Sequence, residues 1–271
     1  MAEYPSTVHH IFAQRRSGHH AVIDQLLTGY EDAGVAALHI NDVCRQPDTS
    51  DTDSIVEAAE GYGALIINYE DVSYGDRHVS GPYAGVRTRA EQATHHDMVL
   101  VRDWYNLAAS RLFKAVVSQE CGQYVPIQDV PWEETRRRWL EHASLASKEP
   151  DQPLVVRYNT WFSDPEYRAG LNASYGLPVP SDSVGQVARI GRGSSFDGLR
   201  FDGDAQKMNV LERWRDLRPD MLPAYVALVT DDEIDHVSRN VFGWGQRRVL
   251  GALAVQNLAD TELRQDSAVS G

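Results

Sequence analysis

At 271 residues, 42% of them hydrophobic, the chain has ample material for a core and room for one or two domains. Its net charge of −13, from 39 acidic against 26 basic side chains, argues against nucleic acid or another polyanion as partner, because long-range repulsion would oppose the encounter. No run approaches the ~18 uninterrupted apolar residues of a membrane span, the amino-terminal MAEYPST lacks a charged-then-apolar leader, and two cysteines, Cys44 and Cys121, are too few for a disulfide framework or a zinc site. The expectation is a cytoplasmic protein with no membrane partner and no metal.

The first informative stretch is VHHIFAQRRSGHHAVIDQLL, residues 8–27. An apolar run stops at the polar turn Gln14-Arg15-Arg16-Ser17-Gly18, and Val22, Ile23, Leu26 and Leu27 then recur at helical spacing. This reads as strand, loop and helix, with the helix starting near Gly18. A helix N-terminus offers unpaired N–H donors and partial positive charge, so with Arg15 and Arg16 beside it the expected ligand is a phosphate or sulfate. A Walker A loop would need Lys and a hydroxyl after its second Gly, whereas His19 and His20 follow Gly18, which disfavours a magnesium-dependent NTPase.

Further along, Gly34 ends the helical pattern, VAALHINDV reads as a short strand, and 45–53 as a polar surface loop. Ser54 is a candidate cap for a short helix through Ala59, and ALIINYED runs as a strand into Glu70 and Asp71. Between Val72 and Thr94 no periodicity is evident, and Tyr74, Gly81, Pro82 and Tyr83 suit a loop over a site. MVLVRDWYNLAASRLF, 98–113, is a strand ending at Arg102 followed by a helix, with Ser110 eight positions on. An Arg at the carboxyl end of a parallel strand and a Ser two turns into the next helix can reach one phosphate. Pro131 opens the next helix, with Glu133 and Glu134 in its first turn and Trp132, Trp139, Leu140 and Ala143 on its apolar face. LVVRYNTWFSDPEYR, 154–168, is a strand and a helix opening at Asp164-Pro165. Residues 191–198, GRGSSFDG, read as a flexible linker, and the part from about 200 to 264 is expected to be mostly helical. Of the six paired histidines, His9 and His10 lie on a strand and point to opposite faces, and no metal-ligand spacing occurs, so no metal site is expected.

Three of these stretches, in order, resemble the PAPS-dependent sulfotransferase family over about residues 8–170. The family's 5'-phosphosulfate loop runs Pro-Lys-Ser-Gly-Thr-Thr; Arg16 falls on the Lys, Ser17 and Gly18 match, and His19 and His20 replace the threonines. Arg102 and Ser110 match its 3'-phosphate motif, and Tyr158 the aromatic that packs by the adenine, although Asn159 and Thr160 depart from the acidic pair that follows. The resemblance implies a P-loop NTPase-like sulfotransferase fold, α/β with a parallel sheet flanked by helices and a helical C-terminal part, in a single domain. It implies sulfuryl transfer from PAPS (3'-phosphoadenosine 5'-phosphosulfate) to a hydroxyl or amine of a small acceptor, neutral or cationic. Arg15, Arg16, Ser17, Gly18, His19, His20, Arg102, Ser110 and Tyr158 would hold the nucleotide, Arg192 and Ser194 could close over its 3'-phosphate, and Arg15, Arg16, Arg102 and Arg111 could form a basic pocket. Arg16 would also steady the leaving group, and Glu70 would be the general base, with Asp71, His95 and His96 as its rivals. The other classes left open are a non-catalytic nucleotide-binding module and, less favoured, a small-molecule or nucleotide kinase.

Overall fold

The computed structural model describes residues 4–44, 51–120, 131–147, 153–178, 184, 187 and 196–256. Five parallel strands form one sheet in the order β2-β3-β1-β4-β5: β1 Thr7–Ala13, β2 Ala37–Ile40, β3 Ala64–Glu70, β4 Thr94–Val101 and β5 Leu154–Arg157. The helices are α1 His19–Asp32, α2 Thr52–Ala58, α3 Gly81–Arg89, α4 Trp104–Glu120, α5 Trp132–Leu145, α6 Tyr158–Ser163, α7 Pro165–Ser174, α8 Leu222–Val229 and α9 Asp232–Phe242. A parallel sheet must be covered on both faces, and this is why β1 and β3 are buried almost throughout. Strand order reverses around β1, so the carboxyl ends of β1, β3 and β4 meet where α/β sheets collect their ligands. No helix among the described residues is long and apolar enough to cross a membrane.

The period-2 pattern of β1 sorts the core. Ile11 and Ala13 join Val22, Ile23 and Leu26 of α1 on one face, while Val8 and Phe12 join Ile55 and Val56 of α2 and Tyr83 and Val86 of α3 on the other. A third apolar cluster packs α4 and α5 against α8 and α9. His9 and His10 follow the same alternation: His9 meets Tyr30 at 2.6 Å, and His10 meets Tyr69 and His95 at 3.0 Å each.

Both strand histidines are fully buried. Burial, helped by the charge of His96, lowers the His9 pKa to about 3, and burial with the charges of His95, Arg87 and His9 places that of His10 well below its usual value. The folded state therefore holds both neutral, and the unfolded chain binds their protons first. Stability is complete above the unfolded value near pH 6.5 and declines as the pH falls toward the folded values. Urea denaturation should show stability lower by roughly 3–4 kcal/mol at pH 5 than at pH 7 from these two groups. A midpoint unchanged over that interval would contradict it.

Three local expectations need correction. The stretch from Val72 to Thr94 is not one open loop but contains α3, whose Pro82 sits in the first turn and whose Tyr83 and Val86 bury one face; its Gly and Arg residues masked the periodicity. Helix α2 is capped by Asp51, whose carboxylate accepts from Ser54 N at 3.2 Å, so Ser54 lies inside the first turn. Residues 205–221 form only short 3-10 turns, and two of their backbone groups are bonded to Asn106 of α4 and not along a helix. The Leu211 carbonyl accepts from Asn106 Nδ2 at 2.7 Å, and Arg213 N donates to Asn106 Oδ1 at 2.6 Å. Helix resumes in α8, α9 and 246–256.

Candidate functional site

The loop after β1 is tightly built. Ser17 N donates to the Gln14 carbonyl at 3.1 Å, Gln14 Nε2 is tied to the Thr135 carbonyl at 2.8 Å, and Arg16 and Gly18 take left-handed backbone with φ of 70° and 89°. Gly18 is required twice over: its φ suits glycine, and a Cβ there would run into the Tyr158 ring. As the residue before α1 it supplies no side-chain cap, so the first-turn N–H groups are left for an anion.

The arginines expected as one basic pocket divide into two classes. Arg15 is committed to carboxylates: its Nε lies 2.8 Å from Glu70 Oε2 and its Nη2 2.6 Å from Asp42 Oδ2. Arg111 is committed too, pairing with Asp71 and donating to the Arg15 carbonyl at 3.2 Å and to Thr135 Oγ1 at 3.2 Å. These two brace the loop, and their charge is offset locally. The Arg16 guanidinium, by contrast, makes no hydrogen bond or ion pair with the described residues. Burial lowers its pKa, Glu70 opposes that, and Arg15 and Arg111 add to it, an environment that an anionic ligand would relieve.

Arg102 and Ser110 meet as their spacing predicts, with Nη1 3.3 Å from Ser110 Oγ. The same Nη1 donates to the Arg16 carbonyl at 3.0 Å, Nη2 donates to the Val210 carbonyl, and the guanidinium lies 5.3 Å from the centre of the Tyr158 ring. The group is 5% exposed, has no carboxylate partner among the described residues, and its Nε is buried without an acceptor. Burial lowers its pKa, against the pull of Tyr158 and Asp103. A buried guanidinium held only by carbonyls and a hydroxyl is short of negative charge, which a phosphate would supply.

Neighbouring Asp103 does not serve as counter-ion by a direct bond, because its carboxylate accepts from Asn106 Nδ2 at 2.9 Å and Asn159 Nδ2 at 2.7 Å. Asp103 N in turn donates to Asn159 Oδ1 at 3.1 Å. Asn159, a departure from the family pattern, thus clamps the start of α4 to α6 and keeps Arg102 and Ser110 in place. Tyr158 packs over Gly18 and stacks on Trp161, with ring centres 5.7 Å apart.

Glu70 ends β3 in register with Ala13, the last residue of β1. Its Oε1 lies 2.9 Å from His19 Nε2 and 3.6 Å from His20 Nε2. His19 Nδ1 is in turn 3.3 Å from Ser17 Oγ, so the loop and the strand end are directly linked. Burial alone would raise the Glu70 pKa, but the His19 hydrogen bond and the charges of His19, Arg15 and His20 outweigh it and bring it to about 2. A cavity of about 390 Å³ is lined by Asp71, the residue after Glu70, together with Cys44, Ser73, Ser80, Glu134 and Arg138. Residues 72–82 supply much of that wall.

His95 is not brought to this end. It is the second residue of β4, in register with Val8, five residues back from the level of Glu70, or roughly 16 Å along the strands. Its Nε2 faces the Ala90 carbonyl at 2.9 Å and its Nδ1 faces His10. His96 stacks on His9, 5.1 Å between centres. Arg192 and Ser194 lie outside the described residues. The sequence reading missed Asp42, whose φ of 49° turns it toward Arg15, and the carbonyl of Val210; neither carries a local motif.

No family model and no curated protein matches this chain. Among solved structures, it is similar to a mouse sulfotransferase, SULT7A1, complexed with PAP, at 14% identity and a TM-score of 0.47, covering 87% of this chain and 89% of that one. It is also similar to the sulfotransferase domain from the curacin biosynthetic pathway, at 13% identity and a TM-score of 0.43, covering 87% of this chain and 97% of that one.

Proposed function

We propose that this chain is a transferase that moves a sulfuryl group from PAPS to a hydroxyl or amine of a small acceptor in the cytoplasm, without nucleic acid or membrane as partner. The observation that carries the reading is the buried Arg102, joined to both Ser110 and the loop carbonyl of Arg16 and without a carboxylate partner among the described residues. It supports a phosphate-binding role for Arg102 beside the N-terminus of α1 as a second anion site, so that a nucleotide bearing two separate phosphates would suit the pair better than one bearing a single phosphate.

In this reading Ser17, Gly18, His19 and His20 hold the 5'-phosphate through the helix N-terminus, and Arg102 and Ser110 hold the 3'-phosphate with Tyr158 by the base. Arg16 steadies the bridging oxygen as the bond from sulfur to the 5'-phosphate breaks and charge collects on the leaving bisphosphate. The acceptor oxygen or nitrogen forms the new bond to sulfur, and its proton passes to Glu70. The cavity lined by Asp71 would seat the acceptor, with both apolar and charged side chains in its wall.

The test is thermal stabilisation by the product nucleotide. Adenosine 3',5'-bisphosphate (PAP) should raise the melting temperature well above the shift given by AMP at equal concentration, since only the former reaches both sites. Equal shifts would overturn the reading. Turnover, once an acceptor is found, should persist or rise in excess EDTA, because the work is done by Arg16, Arg102 and the helix N-terminus; loss on chelation with rescue by magnesium would favour a kinase.

A second reading, a nucleotide-binding module without chemistry, is favoured by one observation: both Glu70 oxygens already carry partners, His19 and Arg15. Sulfuryl turnover separates it from the first.

A further inference from the structure

We propose that His19, His20 and Glu70 form a binding site for one divalent transition-metal ion of the zinc and cobalt class. This reverses the expectation of no metal drawn from residue spacing, and it stands independently of the nucleotide reading. His19 and His20 are consecutive residues in the first turn of α1, and consecutive helical side chains ordinarily diverge. Here their rings lie 4.1 Å apart between centres, and both face the end of β3. One ligand atom from each of the three residues falls within 4.8 Å of the others.

The distances suit a small tetrahedral ion. Bonds of ~2.0–2.1 Å to zinc place tetrahedral ligand atoms about 3.3 Å apart. Glu70 Oε1 lies 2.9 Å from His19 Nε2 and 3.6 Å from His20 Nε2, on either side of that value. Asn41 Oδ1 lies 2.8 Å from His20 Nε2 and holds that ring beside the other two ligands.

The supporting contacts are those that metal ligands use. Ser17 Oγ at 3.3 Å from His19 Nδ1 fixes that ring through its other nitrogen. Arg15 binds Glu70 through Oε2 and leaves Oε1 facing the imidazoles, while Asp42 offsets the charge of Arg15. Two imidazoles and one carboxylate select zinc, cobalt, nickel or copper over magnesium and calcium, which prefer oxygen. The other histidine groups differ: His9 with His96, and His10 with His95, are ring contacts within the sheet with no carboxylate joined to both rings among the described residues. An ion on Glu70 Oε1 would occupy an atom needed to accept the acceptor's proton, so loading with metal should depress turnover where there is any.

Cobalt(II) titration of the EDTA-treated full-length chain tests the site. The expected result is uptake of one equivalent with the visible ligand-field bands of a tetrahedral site, displaced by zinc, together with a zinc-dependent rise in melting temperature. Glu70→Gln and His20→Ala should each weaken uptake by tenfold or more and abolish the zinc shift, whereas His78→Ala and His236→Ala, at exposed histidines, should leave both unchanged. His20 is partly exposed, so that its alanine variant remains readable if a change at the buried His19 or Glu70 prevents folding. Absence of stoichiometric uptake, or uptake undiminished in both His20→Ala and Glu70→Gln, would overturn the proposal. Equal loss in His236→Ala would do the same, because it would show binding by surface histidines.

Discussion

Replacing Arg102 with alanine is expected to erase the preference of this chain for adenosine 3',5'-bisphosphate over AMP. Charge-assisted hydrogen bonds contribute roughly 1.5–3 kcal/mol each, so loss of the guanidinium should weaken the bisphosphate by about 10–100-fold. Two structural features decide how the result is judged. Arg102 has a buried Nε with no acceptor, which makes the phosphate-free state costly and adds to what a phosphate gains. The same side chain holds the carbonyls of Arg16 and Val210, so its removal can also loosen the loop. AMP affinity reports that second effect: a shared fall for both nucleotides means loop damage, and a fall confined to the bisphosphate means a lost 3' contact. Ser110→Ala, which removes one neutral hydroxyl and none of the loop bonds, should cost the bisphosphate only about fivefold. An Arg102→Ala protein that still prefers the bisphosphate would show the 3' site to be elsewhere.

What the residues made legible, and what they did not, follows from the range of the interactions. The β1–loop–α1 unit could be placed to within a residue or two because strand pattern, Gly18 and the spacing of Val22, Ile23 and Leu26 are local signals that agree. The pairing of Arg102 with Ser110 was legible for the same reason, since a strand end and two helical turns set the distance. Whether an arginine was available to a ligand was not legible. Arg15 and Arg16 are neighbours of the same type, yet only the fold brings Asp42, Glu70 and Asp71 to the first and leaves the second without them. The grouping of His19 and His20 with Glu70 is likewise a contact across some 50 residues, beyond any spacing rule. Asn159 looked like a lost function and proved to be a brace, because the partner that gives it meaning, Asp103, lies on another strand end.

Glu70→Gln carries the other large expected effect: turnover should fall by ~10²-fold or more, while affinity for the product nucleotide changes little. Position supports it, since Glu70 closes β3 beside the loop and its chain neighbour Asp71 lines the cavity, whereas His95 lies roughly 16 Å back along the sheet and is tied to His10 and the Ala90 carbonyl. A pKa near 2 keeps Glu70 ionised at neutral pH but makes it a weak base as it stands, with His19 on one oxygen and Arg15 on the other. An acceptor hydroxyl that displaces the His19 bond would remove the strongest stabiliser of the carboxylate and raise its affinity for a proton at the moment of transfer. His19→Ala would make that change permanently, so its rate should fall less than that of Glu70→Gln and its pH profile should move its acid limb upward. Were His19 the base and Glu70 only its support, the order would reverse, with His19→Ala the more damaging. His95→Asn should stay active throughout, and a dead His95→Asn beside an active Glu70→Gln would move the base to the other end of the sheet and refute the assignment.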